Sequence, residues 1–229
     1  MEKGWQGRPA VRFGMYVLGL FIMTLGIALS VKSDLGVSPV SSIPYTLTCL
    51  IGLEMGRATV VFHVALVLLQ IAILGRAFRA KNLLQVPVGV LFGAFTTASN
   101  SLFALLPTPE GLIPRLGLML ASTVFIAFGI FLYLPPDLVP LAGEGVMQAI
   151  SQRWGLPFSR VKIGFDVGMV TISLVACLLV LHGLGSVGVG TVAAAVLVGS
   201  ELGFFTRHLS GARDRVLHGT AAQETAAVS

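Results

Sequence analysis

Long apolar stretches alternate along the chain with short breaks rich in polar residues, glycine and proline. Such stretches predict membrane-spanning helices, because about 20 apolar residues cross the hydrocarbon core of a bilayer. Six are expected to span, over residues 13–31, 58–74, 86–106, 116–134, 163–181 and 191–205. Two further helices, over residues 39–52 and 141–154, are predicted to be about 21 Å long, which is too short to cross the ~30 Å core.

The two halves of the chain resemble each other at an offset of about 103 residues. The matches fall on glycines, charged residues and breaks as well as on aliphatic residues. Matched pairs include Arg12 and Arg115, Gly26 and Gly129, Asp34 and Asp137, Gly52 and Gly155, and Arg57 and Arg160. The pattern predicts two membrane repeats joined by a turn and flanked by tails, with bounds at 1–11, 12–106, 107–114, 115–206 and 207–229.

The composition is typical of an integral membrane protein. The chain is 55% hydrophobic and only 11% charged, whereas soluble domains carry about 25% charged residues. The formal net charge of +5 comes from basic residues in connectors and at the ends, where they orient helices, so no nucleic acid is expected as a partner. Because the sequence has no metal-ligand spacing and no phosphate-binding glycine loop, neither a metal nor a cofactor is predicted.

Basic residues decide between two topologies. If both short helices crossed, the chain would have eight spans, and the connector 76–81 would lie opposite the basic N-terminus. If both are re-entrant, the N-terminus, the two basic connectors 76–81 and 153–162, and the segment 207–215 share one side, which the positive-inside rule makes cytoplasmic. Each repeat then has three crossings, so the repeats face opposite ways. The predicted fold is an all-α membrane protein with six transmembrane helices and two short re-entrant helices in two inverted repeats.

The short helices carry polar faces that indicate a solute site. Inverted repeats with half-length helices are typical of secondary transporters, whose sites lie near the midplane between the repeats. Helix N-termini there present free N–H groups and a positive dipole end to a polar or anionic group. The alternative is a helix lying in the headgroup region with its polar face in water. The residues predicted to bind a substrate are Ser38, Ser41, Ser42, Tyr45, Glu144, Gln148 and Asn100.

Three ionisable residues within the predicted spans are candidates for ion coupling. His63 and Asp166 occupy equivalent positions inside a span, where an ionisable group is costly and often functional, and a histidine can exchange a proton near neutral pH. Alternatively, Asp166 pairs with Lys162 one turn before it, and His63 bonds a carbonyl. Glu201 aligns with Asn100 when a two-residue gap is allowed. It acts either as a relay or as an end residue that reaches the interface.

Two sequence motifs resemble a known family. The elbow Ser33-Asp34-Leu35-Gly36-Val37-Ser38-Pro39 and the later Gly188-Val189-Gly190-Thr191 are similar to those of the YczE/YyaS/YitT family of bacterial inner-membrane proteins, and of its YczE-like branch most. The likeness covers about residues 12–205, although the second elbow departs from it. The resemblance implies a multi-pass protein of the inner (plasma) membrane and, for some relatives, a link to secondary-metabolite production. It implies no substrate and no catalytic residues.

Two functions follow from these observations. The first is a small secondary transporter or exporter of a polar small metabolite, either neutral or anionic. Both termini are expected to be cytoplasmic. The second is a membrane-embedded regulator or scaffold that binds a partner enzyme, for which the basic segment 207–215 offers a surface. An enzyme is not expected, because no nucleophile and base stand out. The expected partner is the lipid bilayer. Glycines in the spans permit helix packing within one chain or between two chains, so the sequence is also compatible with a homo-oligomer.

Overall fold

A computed structural model describes residues 9–218 of the chain. Residues 1–8 and 219–229, which belong to the two predicted tails, lie outside the described residues. The helices are α1 (Pro9–Ser33), α2 (Pro39–Ile51), α3 (Met55–Leu74), α4 (Gln85–Ala104), α5 (Leu112–Tyr133), α6 (Ala142–Trp154), α7 (Phe158–Leu181) and α8 (Val189–His218), with 3-10 helices at Gly75–Ala77 and Ala80–Leu84.

Within residues 9–218, six helices are long and apolar enough to cross a membrane, which confirms the predicted fold class at that level. α2 and α6 have 13 residues each, or about 20 Å. Both end at a glycine with left-handed backbone, Gly52 (φ 67°) and Gly155 (φ 64°), a conformation that costs glycine little. The first three helices of each half begin about 103 residues apart, as the sequence repeat requires.

α1 and α5 form the antiparallel centre of the bundle. Glycines set their separation. A Cβ atom on Gly19 would lie 2.8 Å from the carbonyl oxygen of Gly129, and one on Gly26 would lie 2.8 Å from that of Ser122. Because no larger residue fits at these crossings, the two backbones approach as closely as small residues allow in membrane helices.

The ends of this central pair are tied in equivalent ways. Arg115 donates a hydrogen bond to Asp34 at 3.1 Å, and its counterpart Arg12 donates to the carbonyl oxygen of Pro136. Asp34 (φ 55°) and Asp137 (φ 49°) both have left-handed backbone, which aspartate adopts more readily than most residues. Each contact therefore joins the start of one central helix to the elbow that follows the other.

α4 packs against α1 on one side and α3 on the other. It runs parallel to α1, since Phe95 contacts Phe21 with ring centroids 5.3 Å apart and Lys32 Nζ donates to the carbonyl oxygen of Leu106 at the far end.

α3 runs antiparallel to α4 and is joined to it at both ends. Thr97 donates to Glu54 at 3.0 Å, and the amides of Gln70 and Gln85 exchange hydrogen bonds of 2.7 and 3.3 Å. Gln70 also donates to the carbonyl oxygen of Ala142 at 3.3 Å, so the same side chain holds the start of α6 against α3.

α8 packs along α5 in the parallel direction. Thr123 donates to Glu201 at 3.0 Å, and the rings of Phe128 and Phe205 lie 5.4 Å apart. These contacts are the counterpart of the α1–α4 contacts in the other half.

α8 is also longer than predicted. The last span was expected to end at residue 205 and a tail to start at 207, but one helix continues to His218. Its last turns fold onto α5, because the Arg213 guanidinium lies 4.6 Å from the centroid of the Phe131 ring and Leu217 is buried. A cation over an aromatic ring is favourable, so Arg213, which the sequence places in a polar tail, stabilises the packing of α8 on α5 instead.

α2 does not cross the bundle. The elbow before it is bonded to the segment between α7 and α8. Ser42 in its first turn contacts Ser173 of α7 at 3.0 Å, whereas Thr46, one turn later, contacts Ser186 beyond the end of α7 at 2.6 Å. α2 therefore runs back towards the end of the bundle from which the chain entered.

Candidate functional site

The first turns of α2 and α6 lie next to each other inside the bundle. Their N-cap residues, Ser38 and Leu141, make no side-chain capping bond. A Cβ atom on Gly143 in α6 would lie 3.7 Å from Val40 Cγ1 in α2. Because the first N–H groups of a helix lack helical acceptors, two positive dipole ends converge at this point.

Serine hydroxyls surround the start of α2. Ser38 Oγ donates to Ser41 Oγ at 3.0 Å, and Ser173 Oγ donates to Ser42 Oγ at 3.0 Å. Ser41 and Ser42 are buried, and Tyr45 packs one turn later against the core cluster around α1 and α5. The structure thus places the predicted residues Ser41, Ser42 and Tyr45 in the first turns of α2 and joins Ser38, just before the helix, to Ser41.

The elbow before α2 requires a glycine. Gly36 has φ 99°, and a Cβ atom there would lie 2.6 Å from the backbone nitrogen of Gly188. The residues on either side of Gly36 are bonded to the segment between α7 and α8. Gly190 N donates to Leu35 O at 2.7 Å, and Val37 N donates to the carbonyl oxygen of Ser186 at 3.2 Å. The two motifs that carry the family resemblance, at residues 33–39 and 188–191, therefore lie in direct contact in the structure.

Glu144 lies in the first turn of α6 and is held by a tyrosine. The Tyr133 hydroxyl donates to the Glu144 carboxylate, and the same hydroxyl oxygen accepts from Leu141 N at 3.3 Å. Tyr16 stacks obliquely on Tyr133, with ring centroids 5.7 Å apart, and donates to the carbonyl oxygen of Val139 at 2.7 Å. A carboxylate at this position faces the positive end of its own helix.

Two predicted substrate-binding residues lie elsewhere. Gln148 is on the exposed side of α6. Asn100 donates to the carbonyl oxygen of Thr96 in its own helix at 2.9 Å. No contact in the structure joins either residue to the serines of α2 or to Glu144, so their roles stay predictions without geometric support.

His63 and Asp166 have different surroundings in their two repeats. His63 is 4% exposed, its ring lies 5.7 Å from that of Phe92, and its Nδ1 atom has no hydrogen-bond partner. Asp166 Oδ2 pairs with Lys162 at 2.7 Å, which is the alternative that the spacing predicts, while Oδ1 is buried without a partner. The structure shows no direct contact between His63 and Asp166.

Glu201 faces α5. One carboxylate oxygen accepts from Thr123 at 3.0 Å, and the other is buried without a hydrogen-bond partner. At the offset of 103 residues Thr123 corresponds to Leu20 of α1, which neighbours Phe21, and Phe21 packs on Phe95 of α4. By packing, Glu201 therefore corresponds to Phe95 and not to Asn100, with which the sequence aligned it.

Sequence reasoning missed the side chains that position the short helices. These are Tyr16, Tyr133, Gln70, Gln85, Ser173 and Ser186. Polar residues in apolar stretches are the available signal, since a polar group in a membrane helix normally finds a partner in another helix. The sequence marks such residues but not which helices they join.

Comparison with known proteins gives a family without a function. Residues 10–207 match the model of a family described as a family of unknown function, DUF6198. An uncharacterized protein of Haemophilus influenzae is 28% identical over 189 residues, which cover 82% of this chain and 80% of that protein. No solved structure matches the chain. Neither comparison names the YczE-like branch, so that resemblance stays a prediction. The chain belongs to the DUF6198 family of unknown function.

Proposed function

We propose that the protein is a secondary transporter for a small anionic metabolite, with its site where α2 and α6 begin. The observation that carries this proposal is the meeting in the interior of two helix starts whose N-cap residues make no side-chain capping bond, marked by the approach of Gly143 to Val40. Two short helices dipping from opposite sides, in repeats of opposite orientation, are the arrangement that carriers use to hold a solute near the midplane.

The two helix starts have different chemistry, and this supports an anionic substrate coupled to a proton. α2 has no acidic residue in its first turn and offers the hydroxyls of Ser38 and Ser41, whereas Glu144 occupies the first turn of α6. The anion binds at α2, since a free helix N-terminus favours negative charge. A proton taken up by Glu144 then offsets the charge repulsion between carboxylate and substrate.

Proteoliposomes test this proposal. Purified protein is reconstituted with a pH-sensitive dye inside the vesicles, and phosphate, sulfate or succinate is added outside. We expect at least one anion to drive proton uptake above that of protein-free vesicles. Glu144→Gln should abolish the proton signal while the variant keeps its elution volume in gel filtration. Glu110→Gln, in the connecting turn, is the matched control and should leave the signal unchanged.

Two outcomes would contradict the proposal. Absence of flux for all three anions, with folded protein in the vesicles, would remove the anionic carrier. Unchanged proton uptake in Glu144→Gln would remove Glu144 from coupling. Asp166→Asn provides the comparison with the other candidate, because normal flux in that variant excludes Asp166 from the transport cycle.

A further inference from the structure

The two halves differ in how their last two long helices pack. α3 and α4 are in contact along their length, whereas their counterparts α7 and α8 diverge after a short loop. α7 lies against α2 and α6, and α8 lies against α5. Gln70 of α3 bonds Gln85 of α4, but Ser173, at the equivalent position of α7, bonds α2 instead.

Residues that are covered between α3 and α4 have exposed counterparts on α7. Val60 packs directly on Gly93, but Ile163, which corresponds to Val60, is 65% exposed. His63 is buried at 4% exposure, whereas the side chain of Asp166 is 21% exposed. The face of α7 that corresponds to the α4-facing side of α3 is therefore exposed and does not pack on α8.

The face of α8 that would receive α7 carries small residues. Contacts with the central helices set the register between α4 and α8. Glu201 bonds Thr123 of α5, which corresponds to Leu20 of α1, and the α4 residue at that level is Phe95, which packs on Phe21. In that register Gly93 corresponds to Gly199, where a Cβ atom would meet nothing within 4 Å. One turn before it lies Ala195, which is exposed. Since small residues allow close helix packing in membranes, these positions of α8 allow α7 to approach.

We propose that the protein exchanges between the described arrangement and a second one, in which α7 closes on α8 while α3 separates from α4. Ile163 then packs on Gly199, as Val60 packs on Gly93 here. The Gln70–Gln85 pair holds the described arrangement. This inference rests on the proposed transport function, because exchange between two such states is how a carrier opens one site to alternate sides.

Disulfide trapping tests the closure without any substrate. Ile163→Cys and Gly199→Cys are combined in a chain with Cys49→Ala and Cys177→Ala, reconstituted in liposomes and oxidised with copper phenanthroline. We expect a cross-link within one chain. Adding Gln85→Leu should speed its formation roughly three- to tenfold, the effect of losing the buried hydrogen bonds of the Gln70–Gln85 pair.

A matched pair on helices that stay together is the control. Thr24→Cys with Ser99→Cys, between α1 and α4, should cross-link at the same rate with or without Gln85→Leu, because the two hydroxyl oxygens that the sulfurs replace lie 3.0 Å apart. Where Gln85→Leu does not elute as a single folded species, Gln70→Leu takes its place.

Three results would overturn the inference. The first is the absence of a 163–199 cross-link while the control pair reacts. The second is a cross-linking rate that neither glutamine variant changes. The third is a cross-link between two chains through Ile163→Cys alone, which would assign this face to a second copy. Closure without anion flux would keep the inference and reject the carrier, so the two failures are distinguishable.

Discussion

At the scale of single residues, one phenol supports the whole start of α6. A buried carboxyl group needs hydrogen-bond donors in place of the water it has lost. Glu144 receives one from Tyr133, whose hydroxyl oxygen also accepts from Leu141 N. The same atom therefore satisfies the carboxylate and one of the free backbone groups at the helix start.

We expect Tyr133→Phe to lower the free energy of unfolding by about 1–3 kcal/mol, because it leaves two buried polar groups without a partner. The thermal unfolding midpoint in detergent measures this. Tyr16→Phe, which loses only the bond to Val139 O, should cost less. Adding Glu144→Met to Tyr133→Phe should shrink the loss, and a double variant with undiminished loss would contradict the role of the pair.

Glycine conformation gives a second residue-scale prediction. Gly36 (φ 99°) and Gly52 (φ 67°) both have left-handed backbone, but only Gly36 is also crowded by Gly188. Gly52→Ala should cost about 1–2 kcal/mol from backbone strain alone, and Gly36→Ala should cost clearly more. Urea or heat denaturation of the two variants compares them. Equal losses would show that the contact between the two elbows adds nothing.

At the scale of elements, the sequence pattern predicts helices better than their partners. Hydrophobic length and the offset of about 103 residues predict the eight α-helices found within residues 9–218, because both depend on local composition. Helix rotation depends on tertiary contacts, so Glu144 and Gln148 share a predicted face although only Glu144 is held in the interior. The pairing of Gln70 with Gln85 had no local signal either.

The central helix pair gives a prediction at this scale. Gly129 on α5 lies against α1, whereas a Cβ atom added to Gly117 on the same helix would meet nothing within 4 Å. Gly129→Leu should therefore force α1 and α5 apart and abolish the yield of folded protein, and Gly117→Leu should not. Fluorescence-detected gel filtration measures the yield of folded protein for the two variants. Normal yield for Gly129→Leu would contradict the close packing.

At the scale of the whole molecule, the helix directions define two opposite ends. α1 and α4 finish at the end that contains the elbow of α2, and α5 and α8 finish at the other. Basic residues of the 76–81 and 153–162 connectors lie at the end where α3 and α6 finish. From this distribution the positive-inside rule predicts that this end is cytoplasmic.

Cysteine labelling in intact cells tests the orientation. A membrane-impermeant maleimide should label Glu110→Cys, in the turn between α4 and α5, from outside in a chain with Cys49→Ala and Cys177→Ala. Lys81→Cys should react only after the membrane is permeabilised. The reverse pattern would place the basic connectors outside, and labelling of both from outside would contradict the six-span arrangement.

The contact between Leu35 and Gly190 also sets the order in which the molecule can be completed. The ribosome makes the elbow of α2 long before the segment that bonds to it, and a backbone group left bare in lipid is costly. The first repeat cannot reach its final form until the last helix has been inserted. A nascent chain that stops before residue 186 should therefore lack a stable α2 as well as α8, and we expect cellular proteases to remove it.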